Sequence, residues 1–268
     1  MRALGFKSLI VAAIVFTAAF SSFAQPSPEA KPADGKMFVG EVLTYEAKFN
    51  KILRGITVAG LTLTTTAMPN TTDLSIKAEA VSRGTLLKVF RYSFLQQFDS
   101  TIDPTFRILK TIKHDVQKDR VRDSEAIFDY GQKRVTYVET DPKDSSRPPR
   151  RIASEIGDQV LDMVSGIYYL RLMALAVGRH YDLSVSDSGV VYSVPVSVTG
   201  RELQKTVLGN VWCYRVEPEI FGNGHLIEQK GKMVIWMTDD ARHIPVRSQI
   251  NASVGKIDIK LKSATPAK

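Results

Sequence analysis

The chain has 268 residues, of which 44% are apolar and 24% charged, with a formal net charge of +8 and one cysteine. That composition belongs to globular material able to bury a full core, and a lone cysteine excludes intrachain disulfides. The cations are scattered, usually beside acids as in Lys118-Asp119-Arg120, so no single-sign stripe marks a nucleic-acid surface and no nucleic acid is expected as a partner.

The first element is an address. Arg2 and Lys7 form a short basic start, Leu9 to Phe20 run apolar without a charge, and Ser22-Phe23-Ala24 supplies the small-x-small pattern that a signal peptidase reads. An uncleaved anchor is the alternative, but the apolar core is shorter than the ~20 residues a spanning helix needs. Residues 1–24 are therefore read as a signal peptide, and the periplasm as the expected location, with no transmembrane span after cleavage. Removing the two cations leaves a mature chain of +6. Residues 25–36, rich in Pro, Ala and Lys, read as a disordered spacer. Residues 37–264 read as a single β-rich domain and 265–268 as a tail.

Most of that domain reads as strands, from period-two alternation and turn punctuation. The expected strands are 41–49, 60–66, 73–81, 92–102, 106–117, 120–130 and 133–139, then 181–186, 190–199, 205–208, 211–217, 232–238, 243–252 and 255–262. Many short strands at near-regular spacing predict an antiparallel meander. Met233 to Met237 should meet Ile244 to Ser248 across the polar turn Thr238 to Arg242, and Pro245 should begin its strand. Cys213 lies in a strand and reads as a small buried hydrophobe. The basic run Arg147-Pro-Pro-Arg150-Arg151 reads as a solvated loop.

One segment breaks the pattern. Ser154 is a candidate N-cap, Ile156, Val160, Met163, Val164, Ile167 and Leu170 recur at helical spacing, and Gly178 is a candidate C-cap. The spacing predicts one long helix over Ser154 to Val177, about 33 Å long, with Val160, Val164 and Ile167 facing the sheet and Asp158, Asp162 and Ser165 facing solvent. The fold class that follows is mainly β (α+β): a large curved antiparallel sheet or half-barrel with one long helix packed against it.

The order of motifs resembles the bacterial family called domain of unknown function 3108, found in exported proteins. The matching pieces are Val39-Gly-Glu41 with Leu43 and Tyr45, Val58-Ala-Gly60, Asp158 and Leu161 leading into Ser165-Gly-Ile-Tyr-Tyr-Leu-Arg171, and Gly178. They continue with Val198 to Glu202, Gly209, Cys213 to Pro218, Ile235 to Asp240 and Ile244-Pro-Val246. His243 stands beside the proline where Arg or Lys is expected. The resemblance implies a β-rich envelope domain and brings no activity.

The residues themselves carry no recognisable catalytic or metal-binding motif. The four histidines are far apart, and no His-Glu-x-x-His, nucleophile elbow, P-loop or dinucleotide fingerprint occurs. Gly222-Asn-Gly224 reads as a hairpin turn. Asp115, Asp119 and Asp123 read as solvent-facing charges on a strand-turn-strand, and Asp239-Asp240 as turn-capping carboxylates. No catalytic residue, metal or cofactor is assigned.

Tyr168 and Arg171, with Trp236 of the last hairpin, are the candidate ligand residues. Arg171 is expected either to pair with a strand carboxylate such as Glu202 or to line a cavity mouth with Tyr168. The expected function is a periplasmic non-catalytic envelope protein holding a lipid or other amphipathic ligand between sheet and helix. The alternative is a scaffold or accessory subunit of an envelope assembly, contacting an envelope protein partner. An envelope hydrolase using Asp239, Asp240 or His243 is the third reading.

Overall fold

In the computed structural model, residues 35–50, 55–84, 93–252 and 255–267 are described. The expected signal peptide and most of the expected spacer lie outside them. The spacer's last two residues open a 3-10 turn at Gly35–Phe38 rather than continuing as unstructured chain.

Alternating apolar residues put fourteen strands into one antiparallel sheet. The first meander is β1 (Val42–Asn50), β2 (Ile56–Ala67), β3 (Leu74–Ser82), β4 (Phe94–Ile102), β5 (Ile108–Gln117), β6 (Arg120–Asp129), β7 (Arg134–Thr140) and β8 (Arg150–Glu155). A helix, α1 (Met163–Leu172), follows. The second meander is β9 (His180–Asp187), β10 (Val190–Thr206), β11 (Gly209–Pro218), β12 (Gly231–Thr238), β13 (Pro245–Ala252) and β14 (Gly255–Thr265). The meanders join through β1 and β14, giving the order β8-β7-β6-β5-β4-β3-β2-β1-β14-β13-β12-β11-β10-β9. Mainly β architecture is thus what the chain has, and the expected strands 190–199 and 205–208 fall on one strand, β10, which ends at Thr206, with Val207 and Leu208 in the turn that follows. Pro245 begins β13 opposite Met237, where the register shifts, as its missing N–H requires.

The sheet curls until its two ends touch. Ser154 Oγ on β8 donates to the Gly189 carbonyl in the β9–β10 turn at 2.7 Å. Gly189 has φ +80, and a Cβ there would lie 2.5 Å from Tyr137 Cβ, so only glycine lets the turn dock. The free edge of β9 is capped by Leu161, which donates to Ser184 O at 2.9 Å and accepts from Ser186 N at 2.7 Å. A covered edge cannot recruit another chain.

The long helix is the main correction. Residues 150–155, including Arg150 and Arg151 of the supposed loop, pair with β7 as β8. Residues 156–162 are not helical, and their Ile156 and Val160 fill a second core with Ile108, Phe128 and Val135. The helical spacing of these apolar residues therefore reports two separate burials. α1 spans ten residues, about 15 Å at 1.5 Å each, and does not cross the sheet.

Its N-cap is Asp162, not Ser154: Asp162 Oδ1 accepts from Val164 N at 3.0 Å and Ser165 N at 2.7 Å, and Ser165 Oγ accepts from Asp162 N. The other carboxylate oxygen of Asp162 accepts from Ser100 Oγ and, at 2.8 Å, from Thr111 Oγ1. Asp162 and Ser165 are buried, contrary to the solvent-facing expectation, while Ile167 is only half-buried. The helix ends at Met173, whose backbone is extended, and Gly178 (φ +88) instead turns the chain into β9.

Asp115 is likewise buried, where the sequence suggested solvent. Gln96, Gln117 and Arg120 surround it, and against the upward pull of burial they hold its carboxyl below the ordinary range. Thr265 is the last residue of β14 rather than part of a tail. Among the described residues no helix is long and apolar enough to cross a membrane.

Candidate functional site

The inward face of α1 presents Val164, Tyr168 and Arg171, which are successive turns of one stripe. Tyr168 is wholly buried, its ring edge-on to Phe38 with centroids 5.1 Å apart. Arg171 is 2% exposed and grips Glu41 with both ends of its fork, Nη1 to Oε2 at 2.5 Å and Nη2 to Oε1 at 2.7 Å. Its Nε donates to the Arg242 carbonyl at 3.0 Å. The guanidinium carbon also lies 4.4 Å from the Phe38 ring centroid and 5.0 Å from that of Tyr168. His243 Nδ1 donates to the Arg171 carbonyl at 3.0 Å.

This arrangement closes the space a cargo would need. Arg171 does pair with a carboxylate, but Glu41 takes the place expected of Glu202. A fork matched to a carboxylate with a third donor on a carbonyl leaves little for a ligand to claim. Burial pushes the Tyr168 phenol up to about 12, with Thr65 opposing the shift in part. Burial likewise raises Tyr45 well above the ordinary value, aided by Tyr168. Both phenols are neutral at physiological pH. The hydroxyls of Tyr45, Thr65 and Tyr168 are buried without a well-formed hydrogen bond.

Trp236 does not join this group. It is nearly buried, its Nε1 donates to Glu202 at 2.8 Å, and Arg247 lies 4.7 Å over its ring. Trp236 belongs to the same hydrophobic cluster as Tyr168, but its polar and ring partners are Glu202 and Arg247, whereas Tyr168 and Arg171 share Phe38.

The cavity at the N-terminal end of α1, lined by Phe98, Lys113, Asp162, Met163 and Ser186, holds about 30 Å³. That is room for one or two waters. On the opposite face of the sheet, where alternation sends Thr44 and Glu46, two open grooves cross β1 to β5. One of about 460 Å³ is lined by Thr62, Thr64, Lys77, Glu79, Asp99 and His114. The other, about 250 Å³, is lined by Glu46, Gly60, Arg83 and Lys262 among others. Their charges are largely matched internally, as in Lys77–Asp99 at 3.2 Å and Lys262–Glu46 at 3.1 Å.

The acid pair is a turn cap. Asp240 accepts from Thr238 Oγ1 at 2.8 Å and from the backbone and side chain of Arg242. These bonds overcome burial and hold it low. Asp239 is held low by the Tyr214 hydroxyl and by Arg201. A general acid working near neutral pH needs the opposite shift. Cys213 is fully buried, its thiol pushed up to about 12 by burial and by Asp240, Asp239 and Glu202, which suppresses the reactive thiolate. Among the described residues no group of three His, Cys, Asp or Glu is placed to hold a metal ion.

Glu41, Phe38 and Arg242 were missed as partners of Arg171. Glu41 did stand in the sequence as a piece of the family pattern and Arg242 as the end of a polar turn, but nothing local ties residues 130 and 71 positions away to one helix.

A family model described as "Protein of unknown function (DUF3108)" matches residues 44–262. No curated protein matches the chain significantly. Among solved structures, it resembles the beta-barrel-like protein of domain of unknown function DUF1849 from Brucella abortus. That likeness has a TM-score of 0.59 at 11% identity, covering 85% of this chain and 98% of the other. It concerns the fold alone.

Proposed function

Since the chain belongs to the DUF3108 family of proteins of unknown function, we propose that it is an exported, non-catalytic protein of the bacterial envelope, an accessory subunit acting through its outer surface. The observation that carries this reading is the filling of the helix-side space. A lipid or other amphipathic ligand needs a cavity of about 300 Å³ or more, and among the described residues a cavity lined by Asp162 and Met163 at the start of α1 holds about 30 Å³. Tyr168 and Arg171, the residues expected to receive such a ligand, are spent on Phe38, Glu41 and Arg242. Asp239 and Asp240, held as carboxylates beside Arg201 and Arg242, do not support the hydrolase reading. Export rests on the basic, apolar and small-x-small pattern of residues 1–24.

Native mass spectrometry of protein recovered from the periplasmic fraction of its own host tests both halves. We expect a chain beginning at Gln25 with no bound lipid and no uptake of added phospholipid. A stoichiometric co-purifying lipid would overturn the accessory reading, and an intact Met1 chain retained in the cytoplasm would overturn export.

A further inference from the structure

The β10–β11 hairpin leaves the sheet. β9 pairs with β10 only over Val190–Ser197, and β12 pairs with β11 only over Cys213–Val216. From Gly200 to Val211 the two strands pair with each other alone, and at the base of this ribbon the Trp212 carbonyl accepts from Asp239 N at 2.8 Å. Its inner side packs Leu208 and Val211 against the core. Its outer side is the reverse of an ordinary surface ribbon: Leu203 and Trp212 form an exposed cross-strand pair at 54% and 48%, and Val207 is 52% exposed at the apex. A hairpin apex ordinarily carries Gly, Asn, Asp or Ser, whereas here Val207 and Leu208 hold it.

The same side is cationic. Arg201 lies 4.5 Å over the Trp212 ring, which fixes the indole in place, and its charge is shared with Asp239 at the ribbon's base. Lys205 sits between Leu203 and Val207, and no Asp or Glu occurs from Leu203 to Trp212. Two copies pairing edge to edge about Leu203 would set Arg201 of one opposite Lys205 of the other, which like charges disfavour. An exposed aromatic and aliphatic cluster beside cations is the chemistry of an interfacial membrane anchor.

We propose that this ribbon docks on an anionic phospholipid surface, with Leu203, Val207 and Trp212 entering the headgroup boundary and Lys205 meeting the phosphates, while Arg201, paired with Asp239, holds the indole. This goes beyond the accessory role and does not depend on it. The chain has two tryptophans, Trp212 and Trp236, so each reports one place once the other is replaced. In Trp236→Phe, phosphatidylcholine–phosphatidylglycerol vesicles should shift Trp212 emission to the blue, and brominated acyl chains should quench it. In Trp212→Phe, Trp236 should not respond. If Trp236→Phe fails to fold, wild type minus Trp212→Phe gives the Trp212 signal.

Leu203→Glu combined with Val207→Glu should weaken vesicle binding about ten-fold at an unchanged thermal midpoint. A silent Trp212, an equal response to pure phosphatidylcholine, undiminished binding by the double variant, or self-association in place of vesicle binding would each overturn the proposal. Quenching of Trp236 instead of Trp212 would overturn it and the accessory reading together.

Discussion

Arg171 and Glu41 illustrate how a buried charge constrains its neighbourhood. Removing one partner strands the other in the core, so Arg171→Ala should cost about 3–5 kcal/mol in urea unfolding. Replacing both, as Arg171→Met with Glu41→Leu, should recover most of that loss. Tyr168 behaves differently because its hydroxyl lacks a well-formed hydrogen bond. Tyr168→Phe should leave the midpoint unchanged or raise it, since no bond is lost and one desolvated oxygen is removed. It also bears on alkali stability. With the folded Tyr168 value raised from 10.0 to about 12, its neutral form contributes stability fully below pH 10, and that contribution is lost as pH rises from 10 to 12. Tyr168→Phe should therefore move the alkaline unfolding midpoint upward, followed by circular dichroism. Tyr168 and Arg171 were legible as a pair at helical spacing. Their closure by Glu41 and Arg242 was not, because it exists only once distant strands have met.

At the scale of elements, strands were legible and the helix boundaries were not. Alternation in β1 to β7 reports one buried face directly. The run from Ile156 to Leu170 carries helical spacing because an extended linker and a short helix bury apolar residues in succession, in different clusters. β8 was hidden for a related reason: Arg150-Arg-Ile-Ala-Ser-Glu155 has weak alternation, and its place is decided by the open side of β7. The energetic weight of α1 accordingly lies at its cap. Asp162→Ala removes two backbone acceptor bonds and strands the Ser100 and Thr111 hydroxyls, and should cost about 2–4 kcal/mol. Ile167→Ala, half-buried, should cost only about 1–2 kcal/mol. Thermal unfolding of the two variants ranks them, and the reverse order would mean that the helix is docked by its apolar stripe.

Across the whole molecule, the curled sheet was legible in outline from the number of alternating segments, while its strand order was not. Hairpins predict neighbours in sequence, but the pairing of Val42 with Thr265 joins the first and last strands of the chain in the middle of the sheet and leaves no local trace. That seam has a temporal consequence. β1 is made first and lacks one of its two neighbours until β14, the last strand, has emerged. Such distant pairing is slow to form, so the seam between the two meanders closes only once β14 is present. Ending the chain after Ala252 should expose the flanks of β1 and β13 together and give aggregates in size-exclusion chromatography. The adjacency of Val42 and Thr265 also means that a linker from the end of β14 to Gly35, which keeps Phe38 and Glu41 against Arg171, with new ends opened at the polar Asn70 turn, should yield a permuted chain of native circular dichroism. In that chain β14 runs into β1 locally while β2 and β3 come to lie at opposite ends, so the distant pairing moves to the β2–β3 seam and refolding should be no faster than in the natural order.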